Sequence, residues 1–247
     1  MLIQHWQIGH AKFLWDLRQN PKIVDIFAKL WNVSSEELLV SFDGFSFHMP
    51  PEITKRGYYR DNKWFHTDQK LSDSEFRCVQ SWVTAYDVNE GDATLTFLEG
   101  SHKYHEQFAK KFNKTQEKAD WYKLTTKEEY DFFIEKGCKV KSIICPAGSL
   151  VCWDSRTMHA GKESLKDREI PNFRGIGYLC YTPRNLISET NLKKKRKAFN
   201  EMRTTSHWPH RPKLFPKNPR TYGGELPKVV EINKPILTPL GMKLAGF

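Results

Sequence analysis

His66 and Asp68, in the segment Trp64-Phe65-His66-Thr67-Asp68-Gln69, form a His-x-Asp pair, and His159 lies 93 residues downstream. Alternate side chains of an extended segment point the same way, so His66 and Asp68 can reach one metal while Thr67 faces away. With His159 they make a set of two imidazoles and one carboxylate. Such a set occupies one face of a metal and leaves the opposite positions open. Non-haem Fe(II) oxygenases use this arrangement to bind a chelating cosubstrate and O₂. A His-x-Asp triplet alone is commonplace; the second histidine, in Trp153-Asp154-Ser155-Arg156-Thr157-Met158-His159-Ala160-Gly161, is what gives it weight.

An arginine completes the chemistry. Arg174 opens the last expected strand, where a guanidinium can hold the distal carboxylate of a dicarboxylic cosubstrate through a bidentate, charge-assisted pair. Arg168 competes for that role, but it sits in the charged loop from Glu163 to Glu169, where solvation is expected. A strand holds a site arginine more firmly than a loop, which favours Arg174. His102 and His105 share a helical spacing, yet no nearby cysteine or carboxylate completes a second metal set. His102 is expected to stabilise its loop and His105 to face solvent. Trp208, between His207 and His210, is expected to pack onto the domain.

The elements that must position these residues follow from periodicity. Between His10 and Trp31 the apolar residues recur at helical spacing, and Pro21 after Asn20 can start a second helix. Ser34 to Glu37 adds one turn, and Leu38 to Phe47 alternates like a strand. Arg77 to Val88 is the strongest strand, and the turn residues Asn89-Glu90-Gly91-Asp92 predict a hairpin with Ala93 to Leu98. A helical stretch is expected from Lys103 to Gln116 and a charged helical insertion over 117–136, starting near Thr125-Thr126. Val140 to Cys145, Leu150 to Trp153 and Phe173 to Thr182 read as further strands. Short, closely spaced strands with helices at the front predict a mainly β fold with flanking helices, as a sandwich or barrel.

Composition bounds the rest. Length favours one large domain with a tail: residues 1–183 as the domain, and 184–247 as a basic, proline-containing extension packed on or over it. The net charge of +10 lies wholly in that extension, which carries 14 Lys and Arg against 4 Asp and Glu. Such a segment, including Lys193 to Lys197, can attract an anionic partner or be a solvated helix face. Five cysteines, an odd total without Cys-x-x-Cys spacing, indicate neither a disulfide framework nor a zinc ribbon and favour a reducing compartment. The first ten residues lack a signal-like pattern and no apolar run is long enough to span a membrane, so a soluble, cytoplasmic chain is expected.

The chain resembles the phytanoyl-CoA dioxygenase-like branch of Fe(II)/2-oxoglutarate-dependent oxygenases. The matching pieces are His66-Thr67-Asp68-Gln69, Gln80 to Tyr86, Gly91-Asp92-Ala93-Thr94-Leu95, Glu99-Gly100-Ser101-His102, Trp153 to Gly161 and Arg174, in family order. The resemblance implies a double-stranded β-helix of jelly-roll or cupin-like type. It implies His66, Asp68 and His159 as iron ligands, Arg174 binding the cosubstrate 2-oxoglutarate, and Trp82 near that cosubstrate. Members that halogenate replace the carboxylate ligand by a small residue, so Asp68 favours hydroxylation. Fe(II), 2-oxoglutarate and O₂ are therefore the expected cofactor and reactants, and the expected substrate is small or lipid-like. The alternatives are a protein or nucleic-acid substrate, guided by Lys193 to Lys197, or a catalytically silent binding module with the same fold.

Overall fold

The computed structural model describes residues 2–166, 168, 170–226 and 230–247. Its strands, in chain order, are β1 (Leu2–Ile3), β2 (Leu38–Val40), β3 (Phe45–His48), β4 (His66–Thr67), β5 (Val79–Thr84), β6 (Thr94–Leu98), β7 (Tyr122–Lys123), β8 (Val140–Ser142), β9 (Leu150–Asp154), β10 (His159–Lys162) and β11 (Arg174–Pro183). The α-helices are α1 (Lys12–Arg18), α2 (Pro21–Trp31), α3 (Pro51–Thr54), α4 (His105–Lys111), α5 (Lys127–Glu135), α6 (Glu189–Asn200) and α7 (Pro239–Ala245). Two compact units divide the chain, Met1–Phe47 with Cys78–Val83 and Gly175–Phe247, and His48–Arg77 with Thr84–Arg174. The expected mainly β fold with flanking helices, of the double-stranded β-helix class, holds.

In the first unit β1, β3, β11 and β5 form a sheet in that order, and β2 also pairs with β11. The two expected front helices are there. Asn20 caps α2 by accepting from Lys22 N at 3.0 Å, with Pro21 in the first turn. This leaves no conflict between the missing proline donor and the helix ladder. Leu14, Trp15, Val24 and Phe27 are buried, and Phe27 packs on Tyr181 with ring centroids 4.5 Å apart. The C-terminal stretch is woven into this unit. Thr205 Oγ1 accepts from Phe42 N at 3.1 Å, Thr204 Oγ1 accepts from Gly9 N at 3.1 Å, and Trp208 is buried with Cys78 and Cys180. The predicted strand Leu38 to Phe47 is two strands, β2 and β3. Arg18 explains part of that break, because its buried guanidinium takes the carbonyl of Asp43, at 2.7 Å, out of any ladder.

The second unit holds an antiparallel sheet in the order β7-β4-β10-β6-β8. Phe65, Leu98, Phe108, Phe132, Phe133 and Met158 form its core. Two expectations fail here. The hairpin predicted after β5 does not form, because β6 has β10 and β8 as its two neighbours. Local turn chemistry was overruled by pairing between residues far apart in sequence. The segment 117–136 is only partly helical: α5 starts where predicted, with Thr126 Oγ1 accepting from Glu129 N at 3.2 Å, but Tyr122–Lys123 is the edge strand β7. No helix among the described residues is long and apolar enough to cross a membrane.

Candidate metal centre

Strands β4 and β10 run antiparallel with His66 and His159 as direct partners. Opposed residues of an antiparallel pair project from the same face, so the 93-residue separation closes to a ring-centroid distance of 4.4 Å. Asp68 follows on the chain leaving β4. Its backbone N–H donates to Ser155 O at 3.2 Å and Thr67 Oγ1 donates to the same carbonyl at 2.9 Å. Gln69 is buried behind, donating to Asp73 O and Glu75 O at 2.7 Å each and accepting from Ser155 Oγ at 2.7 Å. Asp68 is thus carried on a stretch of chain held from both sides.

The ligand atoms of His66, Asp68 and His159 all lie within 4.8 Å of one another. Asp68 Oδ2 is 3.3 Å from His159 Nε2 and 3.9 Å from His66 Nε2. Hydrogen bonding bears on the tautomer of each ring. His159 Nδ1 donates to Thr157 O at 2.9 Å and His66 Nδ1 donates to Trp64 O at 3.3 Å. A carbonyl only accepts, so both Nδ1 atoms carry a proton, and in the neutral ring, the form that binds a metal, Nε2 presents the lone pair. Two lone pairs and a carboxylate oxygen then converge on one point. That convergence is repulsive by itself and is relieved by a cation, so the donor set fits a metal, and its hard and borderline N/O character suits Fe(II).

The turn before β10 is equally constrained. Met158 N donates to Ser101 Oγ at 2.9 Å, and Ser101 follows Gly100, whose φ of 78° is a left-handed conformation suited to glycine. Arg156 clasps Asp154 through Nε at 3.0 Å and Nη2 at 2.7 Å. The Gly-Ser-His sequence thus earns its place by steadying the approach to His159. His102 lies in this loop. His105 departs from expectation: it is buried, not solvent-facing, and burial pushes its pKa down to about 4.

Arg174 is in the same unit, at the start of β11, and is 8% exposed. No carboxylate or hydrogen-bond acceptor among the described residues engages its guanidinium, which leaves a buried cation in want of an anion. Burial, followed by the charge of Arg174, pushes His48 down to about 3, so a neutral imidazole lies within its electrostatic reach. No local pattern singled out His48. Arg168 is not solvated as expected. Its side chain is 2% exposed, with Nε on Glu52 Oε1 at 2.9 Å and Nη1 on Asp92 Oδ1 at 2.6 Å. With both carboxylates close, its charge is already answered. Trp82 is 1% exposed on β5 in the first unit, its indole N–H without an acceptor among the described residues.

Tryptophans frame the histidines. Trp64 stacks on His66 at 4.8 Å and 17° and donates its indole N–H to Gly161 O at 2.8 Å. Trp121 lies 5.7 Å from His66, and Trp153 lies 5.4 Å from His159. None was singled out as a site residue in the sequence, because their roles depend on pairings that local patterns do not reveal.

A profile described as phytanoyl-CoA dioxygenase matches residues 7–170. The chain is 28% identical over 214 residues to Ava biosynthesis cluster protein O of Aspergillus versicolor, covering 84% of this chain and 66% of that protein. Among solved structures it is similar to GlcNAc Inducible Gene 2 from Candida albicans, with a TM-score of 0.58 and 15% identity over 79% of this chain and 56% of that one. It is also similar to EctD from S. alaskensis, solved with 2-oxoglutarate and 5-hydroxyectoine, with a TM-score of 0.47 and 13% identity over 71% of this chain and 54% of that one. The chain therefore spans between about half and two thirds of these relatives' own lengths.

Proposed function

The chain belongs to the phytanoyl-CoA dioxygenase family, and from that premise we propose that it is an Fe(II)- and 2-oxoglutarate-dependent oxygenase that hydroxylates a small or lipid-like molecule. The observation that carries this reading is the convergence of two Nε2 lone pairs and the Asp68 carboxylate within 4.8 Å.

His66, Asp68 and His159 would hold the metal. Bound Fe(II) supplies the redox chemistry that couples oxidative decarboxylation of 2-oxoglutarate to oxidation of a substrate C–H bond. One atom of O₂ ends in succinate and the other in the hydroxylated product, with CO₂ released. The remaining work belongs to the chain. Thr157 O and Trp64 O orient the imidazoles by holding their Nδ1 protons, and the Ser155 carbonyl and Gln69 keep Asp68 in place. Arg174, buried and without a protein counter-ion among the described residues, would take the distal carboxylate of 2-oxoglutarate in a charge-assisted pair. The resemblance of Gln80 to Tyr86 to the family supports Trp82 as a residue near the cosubstrate. Flanking indoles exclude water from the histidines, which strengthens every electrostatic contact at the site.

The small-molecule reading gains from the state of the basic tail. Lys195, in the middle of Lys193 to Lys197, is buried with Nζ on the carbonyl of Val40 and 4.1 Å from the Phe42 ring centroid. Lys193 and Lys197 pair with Glu189 and Glu201 at 3.8 Å, and Arg196 donates to Gly246 O at 2.6 Å. Lys195 is therefore turned away from any polyanion, and Lys193 and Lys197 each have a carboxylate beside them. Intact ligands speak against a silent binding module, and five unpaired cysteines support a reducing, cytoplasmic setting. Conversion of 2-oxoglutarate to succinate, followed with and without added Fe(II), tests the proposal. Fe(II)-dependent succinate is the expected result, and its absence with a metal-loaded chain overturns it.

A further inference from the structure

We infer that Trp121 is a specificity-determining residue of this site, a stacking platform that selects a substrate bearing a planar, conjugated ring. The inference rests on the metal site proposed above and narrows its substrate class.

Strand β7 carries the argument. Its register on β4 pairs His66 with Lys123 and Thr67 with Tyr122. One more step along that register sets Trp121 opposite Asp68, on the face that carries the metal ligands. The ring contact agrees, since the Trp121 centroid lies 5.7 Å from that of His66 at 39°. Trp121 is nevertheless 49% exposed. His66 already has its stacking partner in Trp64, at 4.8 Å and 17°, which is fixed by its own hydrogen bond to Gly161 O. A second large indole, tilted and half open to solvent, is more than the imidazole needs for support.

The platform is rigid from behind. Tyr122 is buried and donates from its hydroxyl to Glu129 Oε1 at 2.5 Å, Glu129 Oε2 accepts from Thr125 N at 2.6 Å, and Leu124 N donates to Phe65 O at 2.9 Å. These bonds hold β7 on the core while its other face presents the indole. An indole ordered in advance adds a geometry-dependent attraction for a second π system, of about 0.5–1.5 kcal/mol beyond area burial, and a saturated chain receives only the area. Trp153, beside His159 at 5.4 Å, has an indole N–H shielded from solvent with no acceptor among the described residues. A ring substituent that accepts a hydrogen bond would complement it.

The test uses the full chain loaded with Mn(II) and 2-oxoglutarate, with 1-naphthoate as the planar probe and decahydronaphthalene-1-carboxylate as its saturated counterpart. Bound Mn(II) broadens the proton resonances of any probe seated beside it. The wild type should broaden 1-naphthoate in preference to the saturated probe. Trp121→Ala should weaken 1-naphthoate binding by about tenfold or more, Trp121→Phe should keep most of it, and Mn(II) affinity should be the same in all three, as loss of one stacked ring contact predicts. Equal binding of the two probes, no broadening of 1-naphthoate by the Mn(II)-loaded wild type, or unchanged 1-naphthoate affinity in Trp121→Ala overturns the inference. So does a loss of Mn(II) affinity in Trp121→Ala, which would make Trp121 a prop for His66. Failure of the wild type to bind Mn(II) is a separate readout, and it would remove the metal site itself.

Discussion

Asp68 is the residue on which the site's charge balance turns, because it supplies the only carboxylate within 4.8 Å of the two histidine ligand atoms among the described residues. Asp68→Ala should abolish Fe(II)-dependent succinate formation and leave the circular dichroism spectrum unchanged; retained turnover would remove Asp68 from the ligand set. Arg174 should separate binding from metal capture. Losing one partner of a buried charge pair costs about 2–5 kcal/mol, so Arg174→Met should raise the KM for 2-oxoglutarate by roughly 30-fold or more with metal affinity unchanged. Arg174→Lys should recover only part of it, lacking the planar fork. An unchanged KM in both would assign the cosubstrate carboxylate elsewhere. The His66-Asp68-His159 cluster was legible because an extended His-x-Asp and a second histidine, read by residue type and alternation, suggest a shared metal. Trp121 and His48 were not legible, since one is placed by a two-residue strand and the other by a fold neighbour. His105 was read as exposed because no second metal set could be completed around it, whereas it is buried.

Elements were legible where the signal is local. Asn20-Pro21 marked the start of α2 and Thr126 the start of α5, each through a side-chain oxygen that accepts from a backbone N–H of the first turn. They were not legible where pairing is remote: β6 joins β10 and β8, and β7 has no alternation to betray it. The loop between His159 and Arg174 shows what such remote contacts achieve. Arg168 ties it to Glu52 and Asp92, Asn172 Nδ2 donates to Asp92 Oδ2 at 2.9 Å, and Leu165 N donates to Gly91 O at 2.8 Å. The Arg168 hydrogen bond holds the Glu52 carboxyl below its usual range. Breaking a buried pair from one side costs about 3–5 kcal/mol, so Asp92→Asn should lower the urea midpoint markedly and raise the KM for 2-oxoglutarate through a looser Arg174. A urea midpoint equal to that of the wild type would show the network to be dispensable.

The whole molecule should be sensitive to acid. His10 satisfies both ring nitrogens only when neutral, with Nε2 donating to Arg203 O at 3.0 Å and Nδ1 accepting from Trp15 Nε1 at 3.4 Å. Burial, reinforced by the charges of Arg18 and Lys195, pushes its pKa down to about 3. The unfolded chain protonates this histidine from about 6.5 downward. The unfolded state therefore binds protons first, and stability present above pH 6.5 is lost as the pH falls toward 3, by up to about 1.4 kcal/mol per pH unit for such a site. His10→Gln should flatten this limb of the stability profile; an unaltered slope would remove His10 as its source. Above this background stands the claim that three side chains grip one iron atom. Anaerobic addition of Fe(II) and 2-oxoglutarate tests it most directly, through the visible charge-transfer band that appears when 2-oxoglutarate chelates Fe(II) in such a site. The wild type should develop that band to saturation at one equivalent of Fe(II), and His159→Ala should show none. A wild type without the band, or an undiminished band in His159→Ala, would contradict the account.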